Sequence, residues 1–265
     1  MYLYSCAYVL IFSHYIYGDT LRCKATNWPP NESDMIKERV INLNLPAEIR
    51  WREIMMEHKP VYLSIVNEIK NHFVKEYNID SEYFSRFENN VVRSLKPAIP
   101  QEYQIEIKGI ANTVGIHESY VIITSIVFDF LSLCTSVIQY DRIINDVIHI
   151  RNLDFGILHG LKEDQVLHIL KTMLQPLMIS VNFTFNGEVM YRSIHYAGSI
   201  GSLTGVSIGR FAVSMNVRNA IEGSFVGLME LLKSKKINQS FASIMVRETL
   251  SNHLLDYDKA IKYAL

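Results

Sequence analysis

Residues 134–156 read CTSVIQYDRIINDVIHIRNLDFG. Two apolar, β-branched runs flank a polar turn, a pattern that predicts a hairpin. Thr135–Tyr140 is the first strand, Val147–Asn152 the second, and Asp141–Asp146 the turn between them. Facing residues of an antiparallel pair have a nearly constant sum of positions. A turn centred near Arg142–Ile143 therefore sets Cys134 opposite Arg151 or Asn152. A thiol, a guanidinium and the Asp154 carboxylate then converge at one end of a sheet. A cationic neighbour favours the thiolate, which is the nucleophilic form.

CTS followed by RNLDFG resembles the acid ceramidase and N-acylethanolamine acid amidase family, cysteine amidases of the N-terminal-nucleophile type. The resemblance implies a precursor that cuts itself between Leu133 and Cys134. Cys134 then becomes a new N-terminus, and its α-amine serves as general base for its own thiol. An α-amine titrates near ~8, so some neutral form is available close to neutrality. By the same resemblance Asp154 holds that amine, and Arg151 orients the Cys134 side chain and the substrate carbonyl.

Other stretches carry the likeness. NLNLPAEIRW (42–51) is similar to the family's strand followed by P-x-x-x-R-W. EIKGIANTVGI (106–116) is similar to its E-I-x-G-I-A segment, and YAGSIGSLTG (196–205) to its F-A-G-x-x-G-x-L-T-G loop, with Tyr196 in the Phe place. Two departures stand out. The family strand ends N-E-R, whereas here it is Asn216-Val217-Arg218, so Asn216 and Arg218 carry over as substrate-binding residues and the Glu does not. Family members also run well past the last helix, into further strands and an oxyanion-hole Asn in a G-G-N motif. The implied fold is α+β: an N-terminal-nucleophile αββα sandwich, C-terminally incomplete, with an N-terminal helical subunit. The implied reaction is hydrolysis of the amide of an N-acyl lipid. Ceramide is the first substrate and N-acylethanolamines the second, with a catalytically impaired lipid-binding relative or a fragment as the alternative.

The chain has 265 residues, 49% hydrophobic and 20% charged, which is a globular composition. A formal net charge of −1 and the lack of basic clusters argue against a nucleic-acid partner. The expected partners are the lipid substrate, transient contact with a lipid surface, and the two pieces of the one precursor. Residues 1–18 are mostly apolar and aromatic and read as a secretory signal; a short membrane anchor is the alternative. Sequons at Asn31, Asn182 and Asn238 accord with secretory passage and with a lysosomal or secreted protein. Of three cysteines, Cys6 lies in the leader, and a Cys23–Cys134 disulfide would consume the nucleophile. No zinc, paired C-x-x-C or Walker pattern is present, so no metal or cofactor is expected.

The domain plan is therefore a leader at 1–18, a helical region at 19–133 and a truncated nucleophile region at 134–265. Within it, Glu38–Leu45 reads as a strand. Helices follow over 47–58, 60–77, 80–95 and 101–114, with Gly109 marking a close neighbour. Tyr83, Phe84, Phe87 and Val91 form one apolar side. His117–Leu133 is apolar all round and reads as a buried helix that delivers Cys134 into the sheet. Asp129 within it is either a hydrogen-bonded buried carboxylate or an aid to self-cleavage. Gln165–Met173 is a further segment before the sheet resumes. Asn186-Gly187 between alternating runs is a hairpin turn. Gly205-Val-Ser-Ile-Gly209 matches the serine-hydrolase pattern, but a strand at Arg210–Asn216 follows where a nucleophile elbow needs a helix. Helices over 222–232, 240–252 and 257–264 close the chain.

Overall fold

The computed structural model describes residues 36–77, 80–131, 133–154, 174–216 and 241–264. The leader, the 165–173 segment and the 222–232 helix expected from the sequence lie outside them. These described residues belong to one compact unit. It opens with β1 (Lys37–Asn42), followed by four helices: α1 (Arg52–Tyr77), α2 (Ser81–Leu95), α3 (Gln101–Val114) and α4 (Glu118–Leu131). A hairpin comes next, β2 (Leu133–Asp141) and β3 (Asp146–Asp154). Then come β4 (Met178–Phe185), β5 (Glu188–Tyr196), β6 (Thr204–Ser207), β7 (Phe211–Ser214), α5 (Ala242–Ser251) and α6 (Tyr257–Ala264).

The main sheet has the order β1-β4-β5-β6-β7, with β2 and β3 paired apart from it. β1 runs parallel to β4 and the other pairs are antiparallel, so the class is α+β with a mixed five-stranded sheet. Period-two burial sets the sheet's inner face: Ile179, Val181 and Phe183 are fully buried, while residues between them are half-exposed. Asn186 and Gly187 both take positive φ, 52° and 84°, as the expected tight β4–β5 turn requires.

Two expectations about helices need correcting. The chain does not break at Pro60: α1 runs unbroken from Arg52 to Tyr77 with the proline inside it. Pro60 cannot donate to Met56, four residues back, but both residues lie on the exposed face, where water can serve the carbonyl instead. Tyr83 is 61% exposed, so the apolar side of α2 is Phe84, Phe87 and Val91. Asp80 caps α2 by accepting a hydrogen bond from the Tyr83 amide at 2.7 Å. The described side chains of α4 are buried or half-buried, as expected, and among the described residues no helix is long and apolar enough to cross a membrane.

One charge cluster joins the layers. Arg247 of α5 and Glu106 of α3 are both fully buried. The guanidinium meets the carboxylate in a two-pronged bond, Nη1 to Oε2 at 2.6 Å and Nη2 to Oε1 at 2.9 Å. Trp51 Nε1 donates to Oε2 at 2.8 Å, and Arg50 Nη1 to Oε1 at 3.1 Å. Arg247 also donates to the Ile200 carbonyl and lies over the Tyr103 and Phe183 rings. Burial works to raise the Glu106 pKa, but Arg247, Trp51 and Arg50 outweigh it and hold the carboxyl below its ordinary value. The motifs 42–51 and 106–116 thus meet each other. They also meet at Gly109, where a Cβ would stand 2.0 Å from the Glu48 carbonyl oxygen, so only glycine fits.

Asp129 is hydrogen-bonded, as the first of its two readings expects. Its carboxylate accepts from the Ser243 amide, 3.2 Å at Oδ1 and 3.3 Å at Oδ2, which caps the start of α5. Burial raises its pKa to about 7, against smaller opposing effects of those bonds.

Glu106→Ala lowers unfolding free energy by about 3–5 kcal/mol, because Arg247 is left as an unpaired buried charge. The double change Glu106→Leu with Arg247→Met costs less than that single change, and denaturant titration of the two variants checks the order. For Asp129, the folded carboxyl holds its proton where the unfolded one has lost it. Its contribution is therefore full below about pH 4 and is lost as pH rises toward about 7. Asp129→Asn flattens that part of the stability–pH curve, as thermal melts across pH 4–8 will show.

Candidate functional site

β2 and β3 pair in a register of constant sum: Cys134 faces Leu153, Thr135 faces Asn152, and Ser136 faces Arg151. The expected facing of Cys134 with Arg151 or Asn152 is therefore wrong by one or two positions. The turn is centred one residue later than expected, between Ile143 and Ile144, and is shorter than the expected span of 141–146. Asp141 Oδ1 accepts from the Ile143 amide at 2.7 Å, and Asn145 takes φ 53°, which makes a four-residue loop of 142–145. Cys134 and Arg151 still share a face, as diagonal neighbours. Arg151 Nη2 lies 2.8 Å from Cys134 Sγ and donates to it.

The same nitrogen donates to the Met215 carbonyl at 2.7 Å, so one guanidinium ties the thiol, β3 and the segment after β7 together. Cys134 and Arg151 are both half-buried, which gives the thiol shelter and leaves it access. Arg151 Nε is buried and has no hydrogen-bond partner among the described residues. The Tyr196 phenol lies within electrostatic reach. Its pKa is pushed up to about 12, first by burial, with Arg151 pulling it down and Cys134 pushing it up.

A second set of contacts runs along the same face. Ser136 Oγ donates to Asn216 Oδ1 at 3.1 Å and lies 2.9 Å from Ser214 Oγ. Ser214 Oγ lies 3.2 Å from His149 Nε2. Of the residues expected at the site, the fold thus brings together Cys134, Arg151 and Asn216. Ser136, His149, Ser214 and the Met215 carbonyl were not foreseen. Strand alternation offered the signal for Ser136 and His149, since both share the face of Cys134 once the register is known.

Asp154 ends β3, with its backbone opposite Leu133; the side chains of both lie outside the described residues. Arg218, Val217, Asn31 and Asn238 also lie outside. Asn182 stands half-buried in β4, with Oδ1 buried and unpartnered among the described residues. Ser207 ends β6, is fully buried, and donates to the Leu250 carbonyl at 3.3 Å, so the G-x-S-x-G stretch is strand–turn–strand and no nucleophile elbow. Among the described residues, no three His, Cys, Asp or Glu side chains gather as a metal site.

The chain is similar to acid ceramidases. It is 30% identical over 233 residues to acid ceramidase of Bos taurus, 28% to that of Homo sapiens and 27% to that of Mus musculus. Each alignment covers 87% of this chain and 58% of the relative. The chain thus spans a little over half the length of the curated relatives it matches. No protein-family profile matches it.

Proposed function

We propose that this chain is a precursor of the N-terminal-nucleophile type which, after cleavage between Leu133 and Cys134, hydrolyses the amide bond of an N-acyl lipid. The observation that carries the proposal is the guanidinium of Arg151 set 2.8 Å from Cys134 Sγ at the head of β2. The similarity to acid ceramidases over 87% of the chain supports it and favours ceramide as substrate, with N-acylethanolamines second.

In the cleaved form the Cys134 α-amine takes the thiol proton and the sulfur attacks the amide carbonyl. The tetrahedral adduct expels the amine, which takes that proton, and a thioester remains. Water then attacks the thioester, releasing the fatty acid and restoring the thiol. Arg151 holds the sulfur, Asp154 the new amine, and Asn216 and Arg218 the substrate. Passage through the secretory pathway to a lysosome or the outside fits such a precursor.

A second reading is a lipid-binding relative without activity. Val217 in the Asn216-Val217-Arg218 stretch favours it, since its side chain can neither accept a hydrogen bond nor take a proton.

Mass spectrometry of purified chain after incubation at acid pH separates the two. The amidase reading expects two pieces of nearly equal size, one starting at Cys134, and fatty acid released from ceramide. Cys134→Ala stays whole and releases none. An unaltered chain that stays whole, yet binds acyl lipid as well as Cys134→Ala does, counts for the second reading.

A further inference from the structure

We infer that His149 is a positioning residue: through Ser214 and Ser136 it fixes which way the Asn216 amide points. The direction of each hydrogen bond follows from counting protons. Asn216 Oδ1 can only accept, so at 3.1 Å Ser136 donates its one hydroxyl proton there. Ser136 then has none left for Ser214 at 2.9 Å, so the Ser214 hydroxyl donates to Ser136. Ser214 in turn has no proton for His149, and at 3.2 Å His149 Nε2 must be the donor. The line is thus one-way: His149 Nε2–H to Ser214, Ser214 to Ser136, Ser136 to Asn216 Oδ1.

Its consequence lies at the far end. With Oδ1 held by Ser136, the Asn216 NH2 group is turned away from Ser136. Asn216 is exposed, so that nitrogen remains available as a donor beside Ser136, which shares its strand face with Cys134 and Arg151. If Ser214 lost the histidine, its proton could turn elsewhere. Ser136 would then be released to donate to Ser214, and the amide could flip. A flipped amide presents an oxygen where a substrate carbonyl, which can only accept, needs a donor. The four residues come from β2, β3, β7 and the segment after it, so the line also reports on how the hairpin sits against the sheet edge. What Asn216 does to a substrate rests on the amidase reading; the hydrogen-bond line itself does not.

Nitrogen-15 NMR of the full chain tests the line without any need for activity. Expected are a His149 Nε2 that carries a proton, and Asn216 side-chain amide signals that move as far in His149→Ala as in Ser136→Ala. Gln139→Ala, an exposed control on the same strand, leaves them in place. An unprotonated Nε2, or Asn216 signals indifferent to His149→Ala, overturns the inference. Chemistry at Cys134 gives the second test. Alkylation by iodoacetamide passes through no oxyanion, whereas acylation by a p-nitrophenyl fatty ester does. His149→Ala slows acylation on the order of tenfold while alkylation keeps its rate. Equal slowing of both, or of neither, overturns the positioning role. If the unaltered chain is not acylated at all, the amidase reading fails, and the inference is decided by the two NMR signals alone.

Discussion

A carboxylate and a guanidinium, both removed from water, hold the layers of this protein in place. Neither Glu106 nor Arg247 can tolerate burial alone, and the cost of stranding either makes their meeting nearly obligatory. Glu106 belongs to α3 and Arg247 to α5, which are 141 positions apart in sequence. Their bond brings the helical half and the last described helices onto one side of the sheet. Trp51 and Arg50 occupy the remaining acceptor positions on the carboxylate, and so fix the strand-to-helix entry at 42–51. With all partners present the cluster is satisfied, which is the condition under which a buried network specifies one arrangement instead of several.

The hairpin that bears Cys134 is held by different means. Among the described residues, no ladder of backbone hydrogen bonds joins β2 or β3 to the five-stranded sheet. Side chains make the connection: Arg151 to the Met215 carbonyl, Ser136 to Ser214 and Asn216, and His149 to Ser214. Away from that seam the hairpin is weakly covered. Ile138 is 70% exposed and Ile143 at the tip 94%. The sulfur therefore sits at the firmly held end of an element whose other end is loosely packed. Anchoring through side chains near Cys134 thus fixes the thiol while leaving the tip free of the sheet.

Much of this was readable from residue order. The alternation in 178–196 and the Asn186-Gly187 pair gave β4, β5 and their turn, because period-two burial and positive φ are local demands. Apolar composition on every face marked α4 as buried, and Gly109 as a point of close approach. Buried charges were not readable. Arg247 looks like a solvent-facing residue on an amphipathic helix, and only the tertiary fold shows that Glu106 awaits it. Asp129, by contrast, was legible as a hydrogen-bonded carboxylate in an apolar run, but not its partner, the start of a helix more than a hundred residues later. Pro60 misled for the opposite reason: a local rule against proline in helices yielded to a face where water can serve the lost bond.

The hairpin register shows where reasoning of that kind runs out. The turn is centred one residue later than composition suggests, which changes every facing pair, because an Asx bond from Asp141 and a left-handed Asn145 close a four-residue loop at 142–145. Yet Cys134 and Arg151 still came together, and parity explains it. When the positions of facing residues sum to an odd number, even residues of β2 share a face with odd residues of β3. The register found, 134 with 153, is odd, as is 134 with 151. The alternative, 134 with 152, is even and would have turned the guanidinium to the opposite face. An even number of loop residues is thus the requirement that matters for the site. The loop from 142 to 145 meets it, and the same count sets Ser136 and His149 on the face where Asn216 is held.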